Sequence, residues 1–161
     1  MARCTHLTPS PRPYVPGSFF ERELPCLLPL VRAALAAHAI DTVIVDGYVD
    51  LGAGRPGLGR HLLHALGAGS PEVVGVAKTR FQGADAAAVL RGSSSRPLWV
   101  TASGDLAAAR SHLRQTHGEA RIPDMLKLID RAGGGTRGTG DVERAAATTP
   151  ARCAAATARP P

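Results

Sequence analysis

Two residues in this sequence stand where a charged side chain can do chemistry. Asp46 closes the run Thr42-Val43-Ile44-Val45, and Lys78 follows Glu72-Val73-Val74-Gly75-Val76-Ala77. Both runs are apolar and rich in β-branched residues, the pattern of a buried strand. A carboxylate delivered to the edge of a sheet can hold a metal ion or exchange protons. If the two strands are parallel neighbours, the ammonium of Lys78 lies near that carboxylate. The plainer alternatives are an ordinary Asp-Gly turn at Asp46-Gly47 and a solvated lysine at a strand end. His61 and His64 are three apart with no third ligand nearby, so they read as surface or packing residues. The glycine-rich stretch 47–59 lacks the spacing of a phosphate-binding P-loop. It still follows the carboxyl end of a strand, a usual place for a ligand.

The elements that must position these residues follow from periodicity and punctuation. Residues 1–12 hold two prolines and no period, so an irregular arm is expected. In Pro13-Tyr14-Val15-Pro16-Gly17 the flanking prolines enforce an extended backbone, so Tyr14 stands on a stiff segment. Ser18 can cap a helix to about His38, with Leu27, Leu28, Val31, Leu35 and Ile40 on one face. Pro29 is expected to bend or restart it. Glu21 and Glu23 lie near its start, where carboxylates suit the helix dipole. Leu58–Leu66 reads as a short helix joining two parallel strands. Residues 91–96 read as a turn and Pro97–Thr101 as a further strand. Asp105 to about His117 reads as a helix with Leu106, Ala109, Leu113 and Thr116 buried. A last helix from Ile122-Pro123-Asp124 is expected to pack Met125, Leu128 and Ile129. From Gly133 the apolar period ends, so 133–161 is expected to be disordered. The domain proper is then 13–132.

Bulk properties bound the function classes. With 44% hydrophobic and 20% charged residues the chain is globular, and few aromatics leave a core of Leu, Val, Ile and Ala. The formal charge of +6 favours a polyanionic partner. Cys4, Cys26 and Cys153 show no paired spacing, so neither a disulfide framework nor a zinc site is expected, and a cytoplasmic setting is expected. No apolar run approaches a membrane span, and no membrane partner is expected.

Four segments, in order, resemble endonuclease V, the metal-dependent nuclease family that cuts to the 3′ side of deoxyinosine or inosine. Pro13-Tyr14-Val15-Pro16-Gly17 with Arg22-Glu23 and Pro25 is similar to its PYxPG…REgP motif. Val45-Asp46-Gly47 is similar to its VDG strand end, and Gly75-Val76-Ala77-Lys78-Thr79-Arg80 to its GVAKsr motif. Arg121-Ile122-Pro123, followed by Lys127 and Asp130, is similar to its final helix. The resemblance implies an α/β, RNase H-like fold, a mixed sheet flanked by helices. It implies Mg²⁺, with Mn²⁺ as a substitute, held by Asp46 and Glu23. Asp130 is implied to approach from the last helix, and Lys78 to sit beside the scissile phosphate. Tyr14 and Pro16 are implied to form a wedge in the nucleic-acid stack. Gly17, Phe19, Gly47 and Phe81 are implied to line the pocket for the deaminated base. The implied partner is DNA or RNA containing deaminated adenine, in DNA repair, bound by a monomer.

The resemblance also carries an expected gap. The family's segment before PYxPG supplies the first strands of the sheet and a further aspartate ligand. The 13 residues before Tyr14 contain no Asp or Glu, so the sheet is expected to lack those strands. The alternative function is then a catalytically impaired, truncated remnant that at most binds nucleic acid, through Tyr14, Lys78 and Arg80.

Overall fold

A computed structural model of the chain describes residues 3–5, 13, 15, 17–133 and 152–154. Its elements are β1 (Arg3–Thr5), α1 (Phe19–Ala37), β2 (Thr42–Asp46), α2 (Leu58–Leu66), β3 (Glu72–Ala77), β4 (Ala87–Val89), β5 (Leu98–Ala102), α3 (Leu106–Gln115), α4 (Asp124–Gly133) and β6 (Arg152–Ala154). The main sheet is mixed, in the order β2-β3-β5-β4. β2 and β3 are parallel, joined through α2, while β5 runs antiparallel to both β3 and β4. Among the described residues no strand pairs with the outer edge of β2.

Strand alternation divides the core between the two faces of this sheet. Val43, Val45 and Val73 pack with Leu62 of α2 and Val31 of α1. Ile44, Val74, Val76, Leu98 and Val100 point the other way, against Ala109 and Leu113 of α3 and Leu126 of α4. A smaller cluster, Tyr48, Ala77 and Ala84 with Trp99 against it, closes the carboxyl end of β3. Val49, Leu62, Val73, Val89 and Val100 are fully buried. At about 25 cal/mol per Å² of apolar surface, such side chains contribute roughly 1.5–3 kcal/mol each.

Several expectations are corrected. Pro25 and Pro29 both lie inside one uninterrupted α1. Each removes an amide donor, yet α1 does not restart at Pro29. Leu128 and Ile129 of α4 are 50% and 57% exposed instead of packed. Leu126 and the buried Pro123 take the core positions. β4 is an addition, since three residues of Ala-Ala-Val give no readable period. β1 and β6 pair antiparallel, with Cys4 opposite Cys153 in the backbone register. They fall in stretches expected to be an irregular arm and a disordered tail; apart from Gly133, which ends α4, the remainder of both stretches lies outside the described residues.

Candidate functional site

The register of β2 and β3 brings the two candidate charges together. Asp46 is the partner of Val76, so Lys78 lies two residues further along the same ladder. Lys78 Nζ is 3.7 Å from Asp46 Oδ2, with side chains 41% and 65% exposed. The sequence expectation of an ammonium beside the strand-end carboxylate is therefore met. The pair sits at the carboxyl ends of two parallel strands, where side chains can face a ligand.

The path of the chain beyond Asp46 requires glycine on both strands. Gly47 takes a φ of 148° and continues the ladder by donating to Val76 O at 3.1 Å. The chain then crosses over β3 at Gly75. A Cβ on Gly75 would lie 2.6 Å from both Gly47 O and Thr101 Oγ1, and 2.8 Å from Val49 N. Val49 N donates to the buried Thr101 Oγ1 at 2.8 Å, which fastens the crossing segment to β5. Only glycine permits so close a backbone approach.

Lys78 is held through its backbone from two directions. Tyr48, 8% exposed, donates its hydroxyl to Thr79 O at 2.6 Å and accepts from Phe81 N at 2.8 Å. Arg121 donates to Lys78 O at 2.5 Å and to Pro97 O at 2.8 Å. Arg121 is in turn set by Arg91, which is 6% exposed. The Arg91 guanidinium donates to the carbonyls of Thr116, Gly118, Ala120 and Arg121. Sequence reasoning quoted Arg121 as part of a motif but gave it no task. It missed Tyr48, Arg91 and Thr101. The one signal for Tyr48 is its place directly after Asp46-Gly47; Arg91 and Thr101 carry none.

The loop after β2 is also fixed. Arg60 holds Asp50 by two hydrogen bonds, at 2.9 and 2.5 Å. The hydrogen bond from the Arg60 guanidinium keeps the Asp50 carboxyl below its ordinary pKa, and the same bond raises Arg60. A Cβ on Gly52 would lie 1.6 Å from Gly83 O, so the loops after β2 and β3 touch through backbone.

The other predicted site residues are spread more widely. Glu23 lies on α1, which packs on the Val45 face of the sheet, whereas Asp46 shares the Ile44 face by alternation. Glu23 Oε1 is 3.9 Å from Arg22 Nε. Asp130 lies on α4, whose Leu126 packs on the Ile44 face; its side chain lies outside the described residues. Lys127, beside it in the motif, is tied to Asp124 at 3.0 Å. Gly17, with φ of 85°, sits in a turn in which Ser18 N donates to Val15 O at 3.0 Å. Phe19 is exposed at the start of α1 and makes no ring contact with Phe81. Gly47 and Phe81 are linked through Tyr48, whose ring centroid is 6.1 Å from that of Phe81. Tyr14 and Pro16 lie outside the described residues. His61 is a packing histidine, stacked on Phe20 at 3.5 Å, and His64 is exposed.

A hard divalent cation would find in Asp46 an exposed carboxylate of the right chemistry. Among the described residues, however, no three acid, histidine or cysteine side chains converge. The described ligand set thus stops short of a metal centre. No helix among them is long and apolar enough to cross a membrane.

The fold is α/β, a mixed sheet with flanking helices, and it is endonuclease V-like. It matches the crystal structure of an endonuclease V from Bacillus subtilis with a TM-score of 0.56 and 21% sequence identity. The match covers 76% of this chain and 63% of that one, so the chain spans less than two thirds of that structure. No family model matches the chain, and no curated protein is a significant match.

Proposed function

We propose that this chain is a nuclease of the endonuclease V type, hydrolysing a phosphodiester bond to the 3′ side of deoxyinosine or inosine. The observation that carries the reading is the Asp46–Lys78 pair, 3.7 Å apart at the carboxyl ends of adjacent parallel strands. The endonuclease V-like fold supports it. Lys78 places an ammonium where a phosphoryl group in hydrolysis gains negative charge. Asp46 orients or deprotonates an attacking water from the same side. When bound, Mg²⁺ supplies charge neutralisation and a water of lowered pKa. Asp46 is its proposed ligand, with Asp130 approaching from α4 on the same face of the sheet; Glu23, on the Val45 face, is not brought to them among the described residues. Phe81 and Gly47 offer the flipped base a ring edge and an open main chain. Tyr14 and Pro16 remain the proposed wedge.

The test is nicking of an inosine-containing oligonucleotide with Mg²⁺, by the full chain and by Asp46→Ala. Site-specific nicking that falls at least ~100-fold in the variant supports the reading; a chain that never nicks overturns it. A second reading, binding of nucleic acid without cleavage, is favoured by the missing three-acid group among the described residues. It predicts retention of the oligonucleotide with no nick under the same conditions.

A further inference from the structure

We infer that two arginines stacked on aromatic rings beside Lys78 form a track for the backbone phosphates of a nucleic-acid strand, independent of base identity. Arg80 lies over the ring of Trp99, 5.0 Å from its centroid, and Arg55 over that of Phe81, at 5.6 Å. Both distances are within the range of a cation–π contact. The two stacks are adjacent in the chain, through Arg80 and Phe81, and both lie just past the strand end that carries Lys78.

The manner of holding matters. The Arg60 guanidinium, by contrast, directs its donors to the Asp50 carboxylate. Among the described residues neither Arg55 nor Arg80 has an ion pair. A ring holds each guanidinium by its face, leaving the in-plane N–H fork available. That fork matches the oxygens of a phosphate. Both arginines are exposed, and Phe81 is 38% exposed. Their loops are fixed by the Gly52–Gly83 contact and by the Tyr48 hydroxyl. Two preoriented donors beside a third cation form a basic strip on a chain of formal charge +6. Polyanion recognition of this kind positions a strand and carries no sequence information.

The inference rests on the nuclease reading for the direction of the strand past Lys78, but its test is separate. The sequence contains one tryptophan, so intrinsic fluorescence reports on Trp99 directly. The full chain is titrated with a single-stranded oligonucleotide free of deaminated bases, without divalent metal, across a salt series. The expected result is a saturable change in Trp99 emission whose affinity falls steeply with salt. Each phosphate contact contributes a slope of about −0.7 for single strands. Removing two contacts in Arg55→Ala/Arg80→Ala should therefore make the log–log slope shallower by about 1.4. Arg80→Lys keeps the charge and should retain the salt slope while weakening affinity a few-fold, because the planar fork is lost. An emission that does not respond to the oligonucleotide, an unchanged slope in the double variant, or equal affinity for polyglutamate of matched charge overturns the track. If the chain binds in this way yet fails to nick inosine-containing strands, the nuclease reading fails and the track stands.

Discussion

Replacing Tyr48 with Phe removes one oxygen and leaves the ring in place. That oxygen accepts from Phe81 N at 2.8 Å and donates to Thr79 O at 2.6 Å. Its loss leaves one amide and one carbonyl short of a partner in a partly buried setting. An unsatisfied buried group costs about 1–3 kcal/mol, less where water can reach it. Because both groups are part-buried, a loss of roughly 1–2 kcal/mol is expected, or about 4–8 °C in Tm at ~4 °C per kcal/mol. The cavity cost is small, since the ring still fills the cluster with Ala77 and Ala84. The local effect on the site should exceed the global one. The segment 79–81 is released immediately after Lys78, so the ammonium loses part of its placement. A tenfold rate loss corresponds to about 1.4 kcal/mol of barrier, and a fall in nicking of roughly 10- to 100-fold is expected, in kcat more than KM. Denaturant melts and steady-state nicking measure the two effects. A variant within about 0.5 kcal/mol and twofold of the parent chain would refute the reasoning that this hydroxyl positions Lys78.

Three further outcomes are expected. Arg91→Met strips four carbonyls, those of Thr116, Gly118, Ala120 and Arg121, of their donor; destabilisation of roughly 2–4 kcal/mol in denaturant melts is expected, and a change below about 1 kcal/mol would contradict the clamp. Lys78→Met should leave stability within about 1 kcal/mol, because an exposed ion pair is worth little, while nicking falls at least ~100-fold; equal loss of fold and rate would point to a structural lysine instead. His61 is held below its ordinary pKa of 6.5, first by burial and then by the positive charge of His64. Its neutral form is the one the fold accepts, so this contribution is complete above pH ~6.5 and is lost as pH falls through the depressed folded-state value. The Tm of His61→Phe, measured from about pH 7.5 to 5, should therefore fall less steeply than that of the parent chain.

How much of this was legible in the sequence depends on how local the cause was. β2, α2 and β3 lie where the apolar runs place them, because β-branched runs and a short leucine helix carry their own period. The parallel pairing, and with it the Asp46–Lys78 approach, follows from a βαβ connection that has few alternatives. β4 was illegible because Ala-Ala-Val takes its strand form from β5 alone. The faces of α4 were misjudged at Leu128 and Ile129, because helical period names an apolar stripe without saying which half meets the sheet. Tyr48, Arg91 and Arg121 act across 24 to 43 residues of chain. No spacing rule reads a hydroxyl or guanidinium that meets backbone at such separations.

Those long-range contacts bear on what the Asp46–Lys78 pair is for. At 3.7 Å and largely exposed, the pair contributes little to stability. Yet buried or half-buried groups from four places converge on the Lys78 segment. Arg91, just past β4, sets the carbonyls of the segment between α3 and α4. Arg121, at the end of that segment, bonds the Lys78 carbonyl and Pro97. Tyr48, on the segment that leaves β2, bonds the residues on the other side. Gly75 and Thr101 allow and fix the crossing that brings Tyr48 there. Arg91 is a buried cation whose described partners are backbone carbonyls, and its removal would leave four of them without this donor. Under the proposed function, this framework fixes the backbone of the Lys78 segment and so places one ammonium beside one carboxylate at the carboxyl ends of β2 and β3.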